Sequence, residues 1–243
     1  MMDNVRIVLV NTTHPGNIGA AARAMKTMGL RRLYLVNPAQ FPSAEATARA
    51  SGADDLLAEA TVCRSVTEAI AGCTLVMGTS ARQRSLAWPE LSVTDAAARA
   101  AREPEGHQVA LLFGRERYGL TNDELKTCHY LVYIPTHEAY ASLNLAQAVQ
   151  VAAYELSRHA DLTRESPEHH PAPADRMEGF DDHREDTLRE LGFLDEQSDR
   201  LMLRLRRWFN RARPDDDEIN ILRGILSDTQ KAVRGKLEGS GRR

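Results

Sequence analysis

Residues 5–29 read VRIVLVNTTHPGNIGAAARAMKTMG: an apolar run, a turn holding Gly16, and an alanine-rich segment that carries Arg23. A strand, a glycine-containing turn and a helix open many nucleotide-binding folds, whose ligands sit beyond the carboxyl ends of the strands. The dinucleotide form needs G-x-G-x-x-G and an acid about twenty residues on. Here only G-x-x-G is present, at Gly16 and Gly19, and the next apolar run, LYLV (33–36), ends in Val36-Asn37-Pro38 without an acid. A phosphate-binding P-loop is excluded too, because no Gly-Lys-Ser/Thr follows the turn. What remains is a helix N-terminus suited to an anion, with Arg23 about one turn in, where its guanidinium adds charge-assisted bonds. A lone arginine on a helix is ordinarily a surface residue. Its location just past a strand end argues for a site.

Further apolar runs follow: TLVMGTS (74–80), QVALLFG (108–114) and YLVYIP (130–135), separated by segments of helical length such as SVTDAAARAAREP. This alternation predicts an α/β fold with a mostly parallel sheet covered on both faces. Three strand ends then carry glycines and arginines: GTSARQR with Arg82 and Arg84, FGRERYG with Gly114, Arg115 and Glu116, and the stretch leading to Ser142, Leu143 and Asn144. A strand ending in glycine lets a ligand approach the backbone, so these loops describe one cleft. Capping of the following helix is the alternative use for Ser142 and Asn144, and an ion pair with Glu116 or with a partner-chain acid the alternative for Arg115. The helix LNLAQAVQVAAYELSRH has one narrow polar stripe, Gln147, Gln150, Tyr154 and Arg158, and is predicted to be buried in its own core and against a partner chain.

Length and charge set the frame. The chain of 243 residues is enough for one large domain and one small one. A net charge of −3 gives no global basic signature, so a nucleic-acid partner has to be met by local patches. The three cysteines, Cys63, Cys73 and Cys128, form no C-x-x-C pair, which suits buried thiols in a reducing compartment. No signal peptide or membrane span is visible, and a cytoplasmic location is expected. Residues 161–175, with three prolines and no apolar period, read as a linker; His169 and His170 within it read as solvated rather than metal-binding. Residues 1–160 are thus the first domain and 176–243 a helical extension. In the extension Arg200, Arg204, Arg207 and Arg211 form one stripe, beside an apolar face of Leu201, Leu205 and Trp208 in which Trp208 is expected to be core. The stripe is either a solvated face paired with acids elsewhere or a surface that contacts phosphates. Only one face can do the latter, since residues 176–243 hold fifteen basic and fifteen acidic side chains.

N-x-G-x-x-x-R (Asn17, Gly19, Arg23), FGRERYGLTNDEL and IPTHEAYASLNLAQAVQV resemble the three ordered motifs of the SpoU branch of the SPOUT RNA methyltransferases, a resemblance that spans residues 1–158. Within that branch, the GTSARQRSLAWP loop and the helical tail resemble the tRNA ribose methyltransferases. The resemblance implies a SPOUT-type trefoil-knotted sheet domain followed by a small all-helical domain, a homodimer with its active site near the subunit interface, S-adenosylmethionine as cofactor and no metal. The implied reaction is 2'-O-methylation of tRNA at nucleotide 32, on cytidine and uridine. It further implies cofactor contacts from Thr79, Ser80, Ala81, Gly114, Ile134, Ala141, Ser142 and Leu143, catalysis by Arg23, and RNA contacts from Arg23, Arg82, Arg84, Arg115 and the tail stripe. Ser142 and Asn144 are candidates for orienting the ribose. A ribosomal RNA target, a cofactor- and RNA-binding module without turnover, and an NAD-linked oxidoreductase are the competing readings.

Overall fold

The computed structural model describes residues 3–81, 88–137, 140–160, 170–195 and 198–240, with side chains up to Arg234. The chain divides into two compact units between Pro167 and Glu168. In the first unit β1 (Val5–Val10) leads into α1 (Pro15–Thr27), then β2 (Arg32–Val36), α2 (Ala44–Ala50), α3 (Asp54–Ala58), β3 (Thr61–Cys63), α4 (Val66–Ile70) and β4 (Cys73–Thr79). It continues through β5 (Glu90–Ser92), α5 (Val93–Arg102), β6 (Gln108–Phe113), α6 (Asn122–Leu125), β7 (Tyr130–Tyr133) and α7 (Leu145–Arg158).

The seven strands form one sheet in the order β3-β2-β1-β6-β4-β7-β5. Every pairing in it is parallel, with Val8 of β1 opposite Tyr34 on one side and Leu112 on the other. Parallel strands covered on both faces bury both sets of side chains, and all six residues of β1 are buried. Val5, Ile7 and Leu9 share one core with Val109, Leu111 and Phe113 of β6, Ile18 and Met25 of α1, and Val149 and Ala153 of α7. Arg6 is tolerated inside β1 because its Nη1 donates to the Ala69 and Ala71 carbonyls at 3.0 and 2.8 Å while its guanidinium covers the Tyr34 ring. The stripe on α7 is the exposed side of that helix, where Tyr154 lies open. All three cysteines are free and buried, and burial pushes the Cys128 thiol up to about 12.

The second unit contains α8 (Ala174–Glu190), α9 (Asp199–Ala212) and α10 (Asp216–Ser240). Part of the stretch read as linker belongs to it. Pro171 and Ala172 are buried, Ala172 N–H donates to the Pro214 carbonyl at 2.8 Å, and α8 already begins at Ala174. Prolines that suggest a tether in sequence here pair with the turn before α10. That turn carries a reciprocal cap: Glu218 N–H donates to Asp215 and Asp215 N–H to Glu218, at 2.8 and 3.0 Å. Among the described residues no helix is long and apolar enough to cross a membrane.

Gly19 sets the distance between α1 and α2. A Cβ there would lie 2.0 Å from the Ala46 carbonyl oxygen, a backbone atom that cannot swing aside. Gly19→Ala should therefore force the helices apart and lower the urea midpoint, at a cost of about 1–3 kcal/mol, measurable by equilibrium unfolding.

Candidate active site

β1, β6, β4 and β7 are neighbours in the sheet, so the loops that leave their carboxyl ends emerge side by side. The loops after β4, β6 and β7 enclose a cleft of about 270 Å³. Phe113, Val132, Ile134, Leu143, Leu145 and Ala148 give it an apolar wall; Thr79, Ser80, Gly114, Arg115, Glu116 and Ser142 supply polar groups and exposed backbone. The residues expected to contact a cofactor, Thr79, Ser80, Ala81, Gly114, Ile134, Ala141, Ser142 and Leu143, all line this one cleft. An apolar wall with a few convergent polar groups suits a small organic ligand with a flat ring system.

The backbone explains why the loops stay in place. Ser80 N–H donates to the Val132 carbonyl and Thr79 Oγ1 to the Leu112 carbonyl, both at 3.0 Å, so the β4 loop is tied to both neighbouring strands. After β6 the chain turns back on itself: Arg115 and Gly119 exchange two backbone hydrogen bonds, and Gly119 has φ of +69°. Gly114 was read as an opening for a ligand. Its tighter constraint is internal, because a Cβ there would stand 2.1 Å from the Gly119 carbonyl carbon and the Leu120 nitrogen.

Glu116 joins this turn to the start of α1. Its carboxylate accepts from Thr13 N–H and Oγ1 at 3.2 and 2.9 Å, from His14 N–H at 3.2 Å and from Asn17 Nδ2 at 3.0 Å. Asn144 Nδ2 in turn donates to Asn17 Oδ1 at 3.0 Å. Three segments more than a hundred residues apart at their extremes are thus held by one polar chain. The anion expected at the N-terminus of α1 is in part the protein's own carboxylate. Burial works to raise the Glu116 pKa, but the hydrogen bonds from Asn17, the backbone, His14 and Thr13 prevail and hold it at about 2. The group is ionised and fully engaged at neutral pH.

Other expectations are redistributed. Of the two capping candidates Asn144 is the cap of α7: its Oδ1 accepts from Ala146 N–H at 2.9 Å and its N–H donates to Gln147. Ser142 is left exposed, with no hydrogen bond among the described residues. Arg115 pairs bidentately with Glu124, both contacts at 2.9 Å, rather than with Glu116; this geometry fixes the turn and takes up the fork intended for RNA. Arg23 is exposed on α1, outside the cleft lining and without a hydrogen bond or ion pair among the described residues. Arg82 and Arg84 lie outside the described residues. In the second unit Arg200, Arg204 and Arg211 are exposed and Arg207 is half-buried. Sequence reading missed Arg117 and Tyr118, which line the cleft with the guanidinium 5.3 Å from the ring centroid. Glu116, an acid between two arginines, reads in sequence as an anchor for an arginine; its partners are instead Thr13, His14 and Asn17. Among the described residues no group of three or more His, Cys, Asp or Glu side chains is placed to hold a metal ion.

The SpoU rRNA Methylase family model matches residues 4–154, and the C-terminal domain model of the tRNA methyltransferase TrmJ matches residues 175–238. The chain belongs to the SpoU methylase family. It is 53% identical over 237 residues to the tRNA (cytidine/uridine-2'-O-)-methyltransferase TrmJ of Pectobacterium atrosepticum, covering 95% of this chain and 98% of the relative. The corresponding Yersinia enterocolitica protein is 51% identical, with 99% and 96% covered. Among solved structures, TrmJ from Z. mobilis ZM4 superposes with a TM-score of 0.84 at 34% identity, covering 92% of this chain and 97% of that one.

Because the folded-state pKa of Glu116 is depressed, the stability it contributes is complete above the ordinary value of 4.5 and is lost as pH falls toward about 2. Glu116→Gln should destabilise the protein at pH 7 by on the order of 1–3 kcal/mol. Chemical denaturation should show the gap to wild type closing between those two pH values.

Proposed function

We propose that this protein methylates the 2'-hydroxyl of nucleotide 32 in the tRNA anticodon loop, on both cytidine and uridine, and that it works as a homodimer with α7 at the interface. It is a tRNA ribose methyltransferase with S-adenosylmethionine as cofactor. The observation that carries this reading is that the second and third ordered motifs line one cleft, to which Asn17 of the first is tied through Glu116 and Asn144, joined to a tail of the TrmJ type. The tail also sets this chain apart from a protein linked to a neighbouring anticodon-loop nucleotide. The protein whose structure concerns 2-OH methylation of C/U34 on tRNA is 28% identical with a TM-score of 0.53, and covers 65% of this chain although 97% of its own length is matched. Its likeness therefore leaves about a third of this chain without a counterpart.

In this proposal the apolar wall and the backbone of Thr79, Ser80, Ala81, Gly114, Ile134, Ala141, Ser142 and Leu143 hold the cofactor, with the loops after β6 and β7 forming the trefoil knot around it. When bound, S-adenosylmethionine supplies a methyl group made electrophilic by its sulfonium. The chain's tasks are then positioning and charge stabilisation. A ribose hydroxyl that accepted this methyl group would have to give up its proton, so the chain has to hold that hydroxyl and let the proton go. Arg23 stays protonated and is a poor base, so it holds an adjacent phosphate and stabilises the developing alkoxide. Glu116 is no base either, because its carboxylate is strongly acidic and already accepts four hydrogen bonds. The proton leaves to water or phosphate. Ser142, exposed at the mouth of the cleft, orients the ribose, and Asn144 keeps the α7 mouth fixed to Asn17. Arg23, Arg82, Arg84 and the tail arginines Arg200, Arg204, Arg207 and Arg211 contact the RNA backbone.

Incubation with labelled S-adenosylmethionine and unmodified total tRNA, followed by nuclease mapping and mass spectrometry, should give a ribose methyl at nucleotide 32. Arg23→Ala should reduce the rate by on the order of 10²-fold or more, the size typical of losing one transition-state donor, while cofactor binding is retained. Methylation of ribosomal RNA instead, or binding without transfer, would overturn the tRNA assignment or the enzymatic one respectively.

A further inference from the structure

The direction in which α9 faces its neighbours is set by four residues. Leu203 and Asn210 are buried, Phe209 packs edge-on against Phe180 at 4.9 Å between ring centroids, and Arg206 pairs with Glu178 and Asp181 at 3.1 and 2.8 Å. With 3.6 residues per turn, Trp208 falls roughly 140° around the helix from Leu203. Its side chain is accordingly 56% exposed, contrary to the core position read from the leucine periodicity. Arg204 lies four residues before it and Arg211 three after, both exposed and on the same side.

The charges around Trp208 differ from those elsewhere in this unit. Arg176, Arg184, Arg189, Arg206 and Arg234 each pair with an aspartate or glutamate. Arg200, Arg204 and Arg211 make no ion pair among the described residues, and no acid occurs between Arg200 and Arg213. Burial, together with the neighbouring charges of Arg211 and Arg204, holds the Arg207 guanidinium below its ordinary value. Arg200, Arg204 and Arg211, like charges on one face with no ion pair among the described residues, stand ready for a polyanion. A large aromatic face in their midst offers a surface on which a base can stack, since base–aromatic stacking is indifferent to sequence.

We propose that the Trp208 indole is a stacking platform for an unpaired base of the RNA substrate, with Arg204 and Arg211 holding the phosphates on either side. This rests on the reading that the tail binds tRNA, and it specifies that the tail recognises a single-stranded segment. A duplex offers phosphates to the arginines but keeps its bases stacked inside.

The test uses the full-length protein and measures its affinity for unmodified tRNA across a salt series, with competition by single-stranded and duplex RNA of equal length. Wild type should prefer the single strand. Trp208→Leu should weaken tRNA binding about ten-fold or more, the scale of one base–aromatic contact, and abolish that preference while leaving the salt slope unchanged. Trp208→Phe should retain most of the affinity. Arg204→Ala and Arg211→Ala should each reduce the salt slope by about one. Trp208 is one of two tryptophans and Trp88 is buried, so quenching of the exposed indole by RNA should vanish in Trp208→Phe. Equal binding by wild type and Trp208→Leu would overturn the platform while sparing the tail's RNA role. So would a Trp208→Leu loss traced by sedimentation and thermal unfolding to altered assembly or packing, which would make the face a protein contact. Failure of wild type to bind tRNA at all would remove the underlying reading as well.

Discussion

One ionised carboxylate fixes the geometry on which the cleft depends. Glu116 stands on the turn after β6, yet its partners are the chain leaving β1 and the first turn of α1, and through Asn17 it reaches the cap of α7. Strand adjacency places these segments near one another. Hydrogen bonds set their separation. A parallel sheet alone leaves its carboxyl-end loops free to splay, because no ladder bonds continue past the last paired residue. Several donors converging on one acceptor pair outweigh the cost of partly burying the charge, and they do so without a counterion. A neutral amide in its place could accept on only one of its two terminal atoms.

The sheet was legible wherever strands are buried on both faces. β1, β4 and β6 appear in sequence as nearly continuous apolar runs because almost every residue in them is buried, and β2 and β7 as shorter runs with partly exposed positions. β3 and β5 have three residues each and half-exposed or exposed positions, too short for any periodicity to show. The cleft-lining residues were legible through the family motifs. Their partners were not: no local pattern in FGRERYG says whether Glu116 will meet an arginine beside it or an asparagine ninety-nine residues away. The same limit explains Ser142 and Asn144, both acceptable caps, of which the backbone turn selects the second.

Trp208 shows a different limit. Helical spacing correctly separates the arginine stripe from an apolar strip containing Leu201, Leu205 and Trp208, but periodicity defines faces only relative to one another. Which face turns inward is decided by neighbouring helices. Here α9 turns Leu203, Arg206, Phe209 and Asn210 toward α8 and α10, accepting a buried guanidinium because Glu178 and Asp181 neutralise it. Of the strip that looked like core, Trp208 is left outside while Leu201 and Leu205 are half-buried. The tail thereby keeps its equal numbers of opposite charges while presenting one of them locally: several of its acids pair with the arginines that build the fold, and Arg200, Arg204 and Arg211 on the outer face make no ion pair among the described residues.

The strand order has a consequence for how this protein is made. β1, at the amino end, lies between β2 and β6, and its partner β6 is separated from it by about a hundred residues. A ribosome delivering the chain from its amino end therefore exposes an apolar strand long before its neighbour exists, and local helices can form earlier than the sheet. The last elements to emerge from the first unit, β7 and α7, complete both the core and the mouth of the cleft. Nascent chains ending before α7 lack the part of the wall formed by Leu145 and Ala148, so ligand affinity arrives late in synthesis, with the final closure of the domain rather than with its first strands.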